Sequence, residues 1–203
     1  MDSFAEDLPL DAELAPELDA PCCAPERRWA CRVEERGRRK FRIHLSGSLH
    51  AGWSGRLAGG LARRGIGIVR VTAHRSAEMF WEAEVDVEAA GPGIDLAGFD
   101  FLAPTLAHAA PVVRAPGVPI DRFSLVRGAD DIAVEIRAPD RVGLLDALLR
   151  VFASHGLFPH ELRIDTRGAV AIDLFRLQTL GGRPPPATVV AALERRLEAL
   201  ARR

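Results

Sequence analysis

An internal duplication restricts this chain's fold more than any other feature. At an ungapped offset of 91, Phe41-Arg-Ile-His-Leu45 falls on Ile132-Ala-Val-Glu-Ile136. Gly52 falls on Gly143, Leu57 on Leu148, Gly65 on Gly156, and the turn glycine Gly37 on Gly128. Identity is low, but the order of apolar stretches and glycines is kept, as in a copied structural unit. One unit is assigned to 29–119 and the other to 120–203, after a tail at 1–28.

Both units change hydrophobic period at the same points. In the second, Phe123 to Val126 is predicted as a short leading strand. Ile132, Val134 and Ile136 then alternate with Ala133 and Glu135, a strand with one buried face. After the turn at Asp140-Arg-Val-Gly143 the period becomes helical, through Leu144, Leu145, Leu148, Val151 and Phe152, and Gly156 ends the helix. Leu162 and Ile164 mark one strand; Val170, Ile172 and Leu174 mark the next. Gly181, Gly182 and Pro184 to Pro186 break the chain. A last helix carries Val189, Leu193, Leu197 and Leu200 on one face.

The first unit follows the same plan. A hairpin is predicted from Ala30 to Arg36 and Phe41 to Leu45, and a helix around Leu57 and Leu61. Gly55, Gly59 and Gly60 weaken that helix by about 1 kcal/mol each relative to Ala. Ile66, Ile68, Val69 and Val71 supply a strand. Trp81, Ala83, Val85 and Val87 alternate with acids in the next. A poorer helix is placed near Leu96 to Ala109, and Pro111, Pro116, Gly117 and Pro119 make a linker. Strand, strand, helix, strand, strand, helix gives an α+β fold: antiparallel sheets, each covered by two helices. With a leading strand in place of the usual last one, each unit is a rearranged ferredoxin-like unit.

Composition narrows the functional classes. The chain has 203 residues, 48% of them apolar, and a net charge of −1. Eight acids and no Lys or Arg lie in 1–26, which leaves 20 acids against all 27 bases in the body. A disordered acidic arm on a basic body is expected. No apolar run approaches the ~20 residues of a membrane span. The start lacks the basic and apolar regions of a signal peptide, so a cytoplasmic protein is expected.

Val134-Glu-Ile-Arg-Ala-Pro-Asp-Arg-Val-Gly-Leu-Leu145 resembles the start of an ACT domain, where a strand enters an Asp-Arg-Pro-Gly-Leu-Leu turn and a helix. His155-Gly-Leu, Leu162-Arg-Ile-Asp-Thr-Arg-Gly168 and Ile172-Asp-Leu-Phe175 resemble the strands that follow. The likeness covers about 70 residues of the second unit and extends weakly to the first. The pair resembles the tandem ACT units at the carboxyl end of bacterial PII uridylyltransferases, and a stand-alone pair resembles the glycine cleavage system repressor type. The resemblance implies a non-catalytic, bacterial regulatory protein, with an amino acid as effector and a protein partner or a second copy as its target. No cofactor is implied. Carried over by position, the ligand-binding residues are Ala138, Asp140, Arg141, Val142, Gly143, Leu144, Leu145 and Phe158.

The chemistry of the turn fits such a role. Asp140 is placed to cap the helix starting near Val142, Gly143 allows close approach, and bare amides at a helix start favour an anion. Val142 stands where the family usually has Pro, and Phe158 where amino-acid binders commonly have a polar residue. The matching turn of the first unit, Ser48-Leu-His-Ala-Gly-Trp53, has no Asp-Arg pair.

Other groupings are weaker. Cys22, Cys23 and Cys31 with His44 or His50 lack zinc-ligand spacing, and no phosphate loop or nucleophile motif occurs. Two alternatives to the metabolite-binding regulator remain. One is a protein-interaction module with a vestigial pocket. The other is RNA binding through the Arg36, Arg38, Arg39, Lys40, Arg42 hairpin with Phe41, Phe80 and Trp81. It is disfavoured, because the aromatic RNA-recognition strand motif is missing.

Overall fold

The computed structural model describes residues 30–37, 39–76, 80–91, 93, 94, 96, 99–106 and 118–202. The tail at 1–28 and the prolines of the linker at 111 and 116 lie outside them. The first unit runs β1 (Ala30–Gly37), β2 (Lys40–Ser48), α1 (Trp53–Ala62), β3 (Ile66–Arg75), β4 (Phe80–Ala89) and α2 (Leu102–Leu106). The second runs β5 (Arg122–Arg127), β6 (Ile132–Pro139), α3 (Leu144–Ser154), β7 (Leu157–Arg167), β8 (Val170–Thr179) and α4 (Ala187–Ala201). The predicted order of elements is therefore the observed one. The helix expected near Leu96 to Ala109 is described only as the five residues of α2.

The strand order is β1-β2-β4-β3-β7-β8-β6-β5, with every pair antiparallel. Each half is a ferredoxin-like unit whose leading strand takes the outer place. The two expected sheets are in fact one eight-stranded sheet, joined at β3 and β7. The join obeys a pseudo-twofold. Val71 pairs with Ile164, and shifting each partner by 91 toward the other unit gives Leu162 and Ala73, which also pair. Arg70 with Asp165 and His74 with Glu161 are related in the same way, so the axis passes beside Thr72 and Arg163.

Both copies keep the same irregularities. Gly52 and Gly143 precede α1 and α3 with φ of 79° and 88°, a left-handed conformation that costs an L side chain and suits glycine. A bulge interrupts β3 between Ile68 and Arg70, and β7 between Pro159 and Glu161, again 91 residues on. A bulge reverses which alternate residues face inward. Ile66 and then Val71 and Ala73 are thus buried on β3, as Leu157 and then Leu162 and Ile164 are on β7.

Buried apolar residues form one core that runs through both units beneath the helices. On α4, Val190, Leu193, Leu197 and Leu200 are buried, with Val189 packed at the margin. The opposite sheet face carries charges that alternate across strands: Glu34, Arg42, Asp86, Arg70 and Asp165 stand in one cross-strand row. The Arg70–Asp165 bridge of 3.3 Å crosses the join. Water and salt screen such exposed pairs, so each adds little to stability.

The glycines of α1 let neighbouring elements approach closely. A Cβ at Gly60 would stand 2.9 Å from Pro104 Cβ, and a proline ring cannot rotate away. Gly60→Ala is therefore expected to lower stability in urea unfolding. Overpacking, roughly 1–3 kcal/mol, outweighs the helix-propensity gain of about 1 kcal/mol. Gly55→Ala is the contrast. Its Cβ would meet Leu149 Cβ at an ordinary 3.6 Å, so it should stabilise by about 1 kcal/mol.

Candidate functional site: the cleft between the units

A cleft opens where the turn before α3 meets the first unit. Asp140, Arg141, Gly143, Leu144 and Leu145 line it from the second unit, and Ala58 of α1 with Ile66 and Ile68 of β3 close it from the first. Its floor is Ile164 and Thr166 of β7 and Ala171 and Asp173 of β8. The enclosed space is about 20 Å³, the room one water needs.

Asp173 dominates this cleft. It is 1% exposed, on the covered face of β8, opposite Ile136 and Ile164. Its Oδ1 and the Thr166 Oγ1 are buried, and no hydrogen-bond donor or acceptor of the described residues reaches either. Burial, and then the negative charge of Asp140, push the Asp173 carboxyl up to about 7. Burial also pushes Asp140 above its ordinary range, against the pull of the Arg141 backbone N–H. Asp146 is already engaged by Arg150, at 2.9 and 3.0 Å.

The residues carried over from the resemblance divide in two. Asp140, Arg141, Gly143, Leu144 and Leu145 come together at the cleft; Ala138, Val142 and Phe158 are not among its walls. Ala138 is fully buried at the end of β6, and Val142 is 42% exposed. Phe158 faces the other turn, with its ring 4.0 Å from where a Cβ on Gly52 would stand. The pseudo-twofold is the reason: the strand after each helix closes its partner's turn, so β3 does for the second unit what β7 does for the first. Nor does Asp140 cap α3. Gly143 is the N-cap, and no side chain bonds the helix start. Sequence reasoning missed Asp173, Thr166 and the cross-unit residues Ala58, Ile66 and Ile68.

The twin cleft of the first unit is filled. Register makes Trp53 the counterpart of Leu144, Trp81 of Ala171 and Ala83 of Asp173. The two indoles meet edge to face at 5.3 Å, and both are buried. Where the second unit has a carboxylate and a recess, the first has a methyl group and aromatic packing.

Part of the basic hairpin is neutralised. Arg42 donates to both Asp86 oxygens, at 2.7 and 2.8 Å, and Lys40 lies 3.5 Å from Glu88. Phe41 packs against the core and Trp81 is buried, so two of the three aromatics cannot stack on bases from the open sheet face.

No protein-family model matches the chain. No curated protein matches it. A solved structure of aspartate kinase from Synechocystis is similar over 80% of this chain and 27% of that one, at 15% identity and a TM-score of 0.48. The chain thus spans about a quarter of that structure's length. Among the described residues, no helix is long and apolar enough to cross a membrane.

Proposed function

We propose that this chain is a non-catalytic regulatory protein that takes one small metabolite, an amino acid, in the cleft between its units and signals occupancy to a protein partner. The observation that carries this reading is the pair of orphaned polar atoms, Asp173 Oδ1 and Thr166 Oγ1, buried at a junction of two packed units. Leaving such groups unmade costs about 1–3 kcal/mol each, a cost that a bound polar ligand would remove. The arrangement suits a zwitterion. Asp173 and Asp140 favour an ammonium group, while Arg141 and the uncapped start of α3 favour a carboxylate.

The enclosed 20 Å³ is far below the roughly 300 Å³ or more of a small-molecule pocket. An amino acid can enter only if the units part, so it binds the parted arrangement better and shifts the protein toward it. That link between occupancy and packing is what a regulator needs.

Melting the protein with each of the twenty amino acids at millimolar concentration tests the proposal. At least one should raise the midpoint by several degrees, and Asp140→Ala should abolish the rise. No response to any of them would favour a protein-interaction module with a vestigial pocket, a reading to which the Trp53–Trp81 plug already lends weight.

A further inference from the structure

The recess at Asp173 is too small for an amino acid, yet it is built for a charge. Three carboxylates and the Thr166 hydroxyl line a space of one water's size; Asp146 is taken up by Arg150, which leaves Asp173 and Asp140. Asp173 is 1% exposed and its Oδ1 has no partner among the described residues. Ile66 and Ile68 of the first unit wall the recess with hydrocarbon. Arg141 also lines it, but no ion pair joins Arg141 to either aspartate among the described residues.

Chemistry narrows what can fill such a place. Calcium takes roughly six to eight oxygens, and magnesium keeps a water shell for which one water's volume leaves no room. Ammonium, about a water's size, needs only an acceptor for each N–H and would separate the two carboxylates, whereas potassium, like calcium, takes more oxygens than this lining supplies.

From this geometry we infer a cation site at Asp173, Thr166 and Asp140 that takes ammonium in the free protein. It deepens the metabolite reading, because the same point would receive a ligand's amino group once the cleft opens. It also gives the chain one site and not two, since the first unit has Ala83 in the equivalent place and indoles in the recess.

The test is a set of melts of the whole chain at pH 8 in about 100 mM potassium, ammonium or choline chloride, with choline too large to enter. Ammonium should raise the midpoint by about 3 °C over choline, and potassium, which wants more oxygens, should not. The gain should vanish in Asp173→Asn, shrink in Thr166→Val, and persist in Asp165→Asn, a carboxylate on the open sheet face. Equal midpoints in all three salts, or a gain that survives Asp173→Asn, would overturn the inference. Repeating the amino-acid screen in choline chloride separates the two ideas. An amino-acid response without a cation response overturns the cation site and leaves the metabolite cleft standing. A cation response without any amino-acid response supports the cation site and removes the metabolite reading.

Discussion

Asp173→Asn is expected to flatten the dependence of stability on pH between 4 and 8. The Asp173 carboxyl is raised in the folded protein from an ordinary 3.8 to about 7. The folded chain therefore holds this proton through a range in which the unfolded chain has released it. The favourable contribution is complete below the ordinary value, fades as pH rises toward 7, and is gone above it. Some three pH units at 1.36 kcal/mol each make the swing about 4 kcal/mol. Asn cannot titrate, so the stability of wild type minus variant should fall by about that much from pH 4 to pH 8. The net gain of the variant at pH 8 should be smaller, because an unpartnered amide still costs roughly 1–3 kcal/mol. Asp140, raised in the same direction by its own burial, adds a slope of the same sign. Asp86 and Asp131 act oppositely. Hydrogen bonds from Arg42 and from Arg176 hold them low, so their contribution is lost only as pH falls through those depressed values. Urea unfolding at several pH values measures the difference directly. Parallel curves for wild type and variant would mean that Asp173 titrates as though exposed.

Trp53→Ala should cost about 3–5 kcal/mol, the usual range for removing a fully buried aromatic. Trp53 is 2% exposed and stacks edge to face on Trp81, so its removal leaves a hole where the second unit has its recess. Trp53→Ala with Trp81→Ala should cost less than the two losses summed, because both side chains line one cavity. The opened cavity should gain no affinity for cations or amino acids, since Ala83 supplies no carboxylate there. A loss under about 1 kcal/mol in urea would mean that the indole does not wedge the twin cleft shut.

How far the fold could be read ahead of the coordinates depended on what the duplication exposed. Gly52 with Gly143, Gly65 with Gly156 and Leu57 with Leu148 mark equivalent places in the two helices, and all occupy them. The strands were legible wherever alternation was undisturbed, as from Trp81 to Val87. On β8 it marked the strand, through Val170, Ile172 and Leu174, but not its inner face: Ala171, Asp173, Phe175 and Leu177 are the buried residues. Ile172 and Leu174 are instead half-buried on the open side. Marking the strand by its larger aliphatics left Asp173 unassigned, and so hid the group on which the site turns. Phe175 and Leu177, two and four residues beyond it, were the signal for the correct face. The bulges in β3 and β7 hid their phase for a similar reason. The turn at 140–145 was legible because an Asp-Arg step before a glycine and a helical run is local chemistry. Ile66 and Ile68 were not assigned to the site and Phe158 was assigned to the wrong turn, because which unit's strand closes which turn depends on how the units join, and β3–β7 pairing leaves no mark in sequence periodicity.

The most direct measurement is an amide NMR titration of the whole chain with the pooled twenty amino acids at millimolar concentration. Gly143 and Gly52 occupy equivalent turns with nearly equal backbone geometry, so each controls for the other. If the cleft of the second unit alone receives a ligand, the Gly143, Leu144 and Leu145 signals should move while Gly52 stays fixed. Motionless Gly143 signals, or equal movement at Gly52, would contradict a single metabolite cleft built on Asp173.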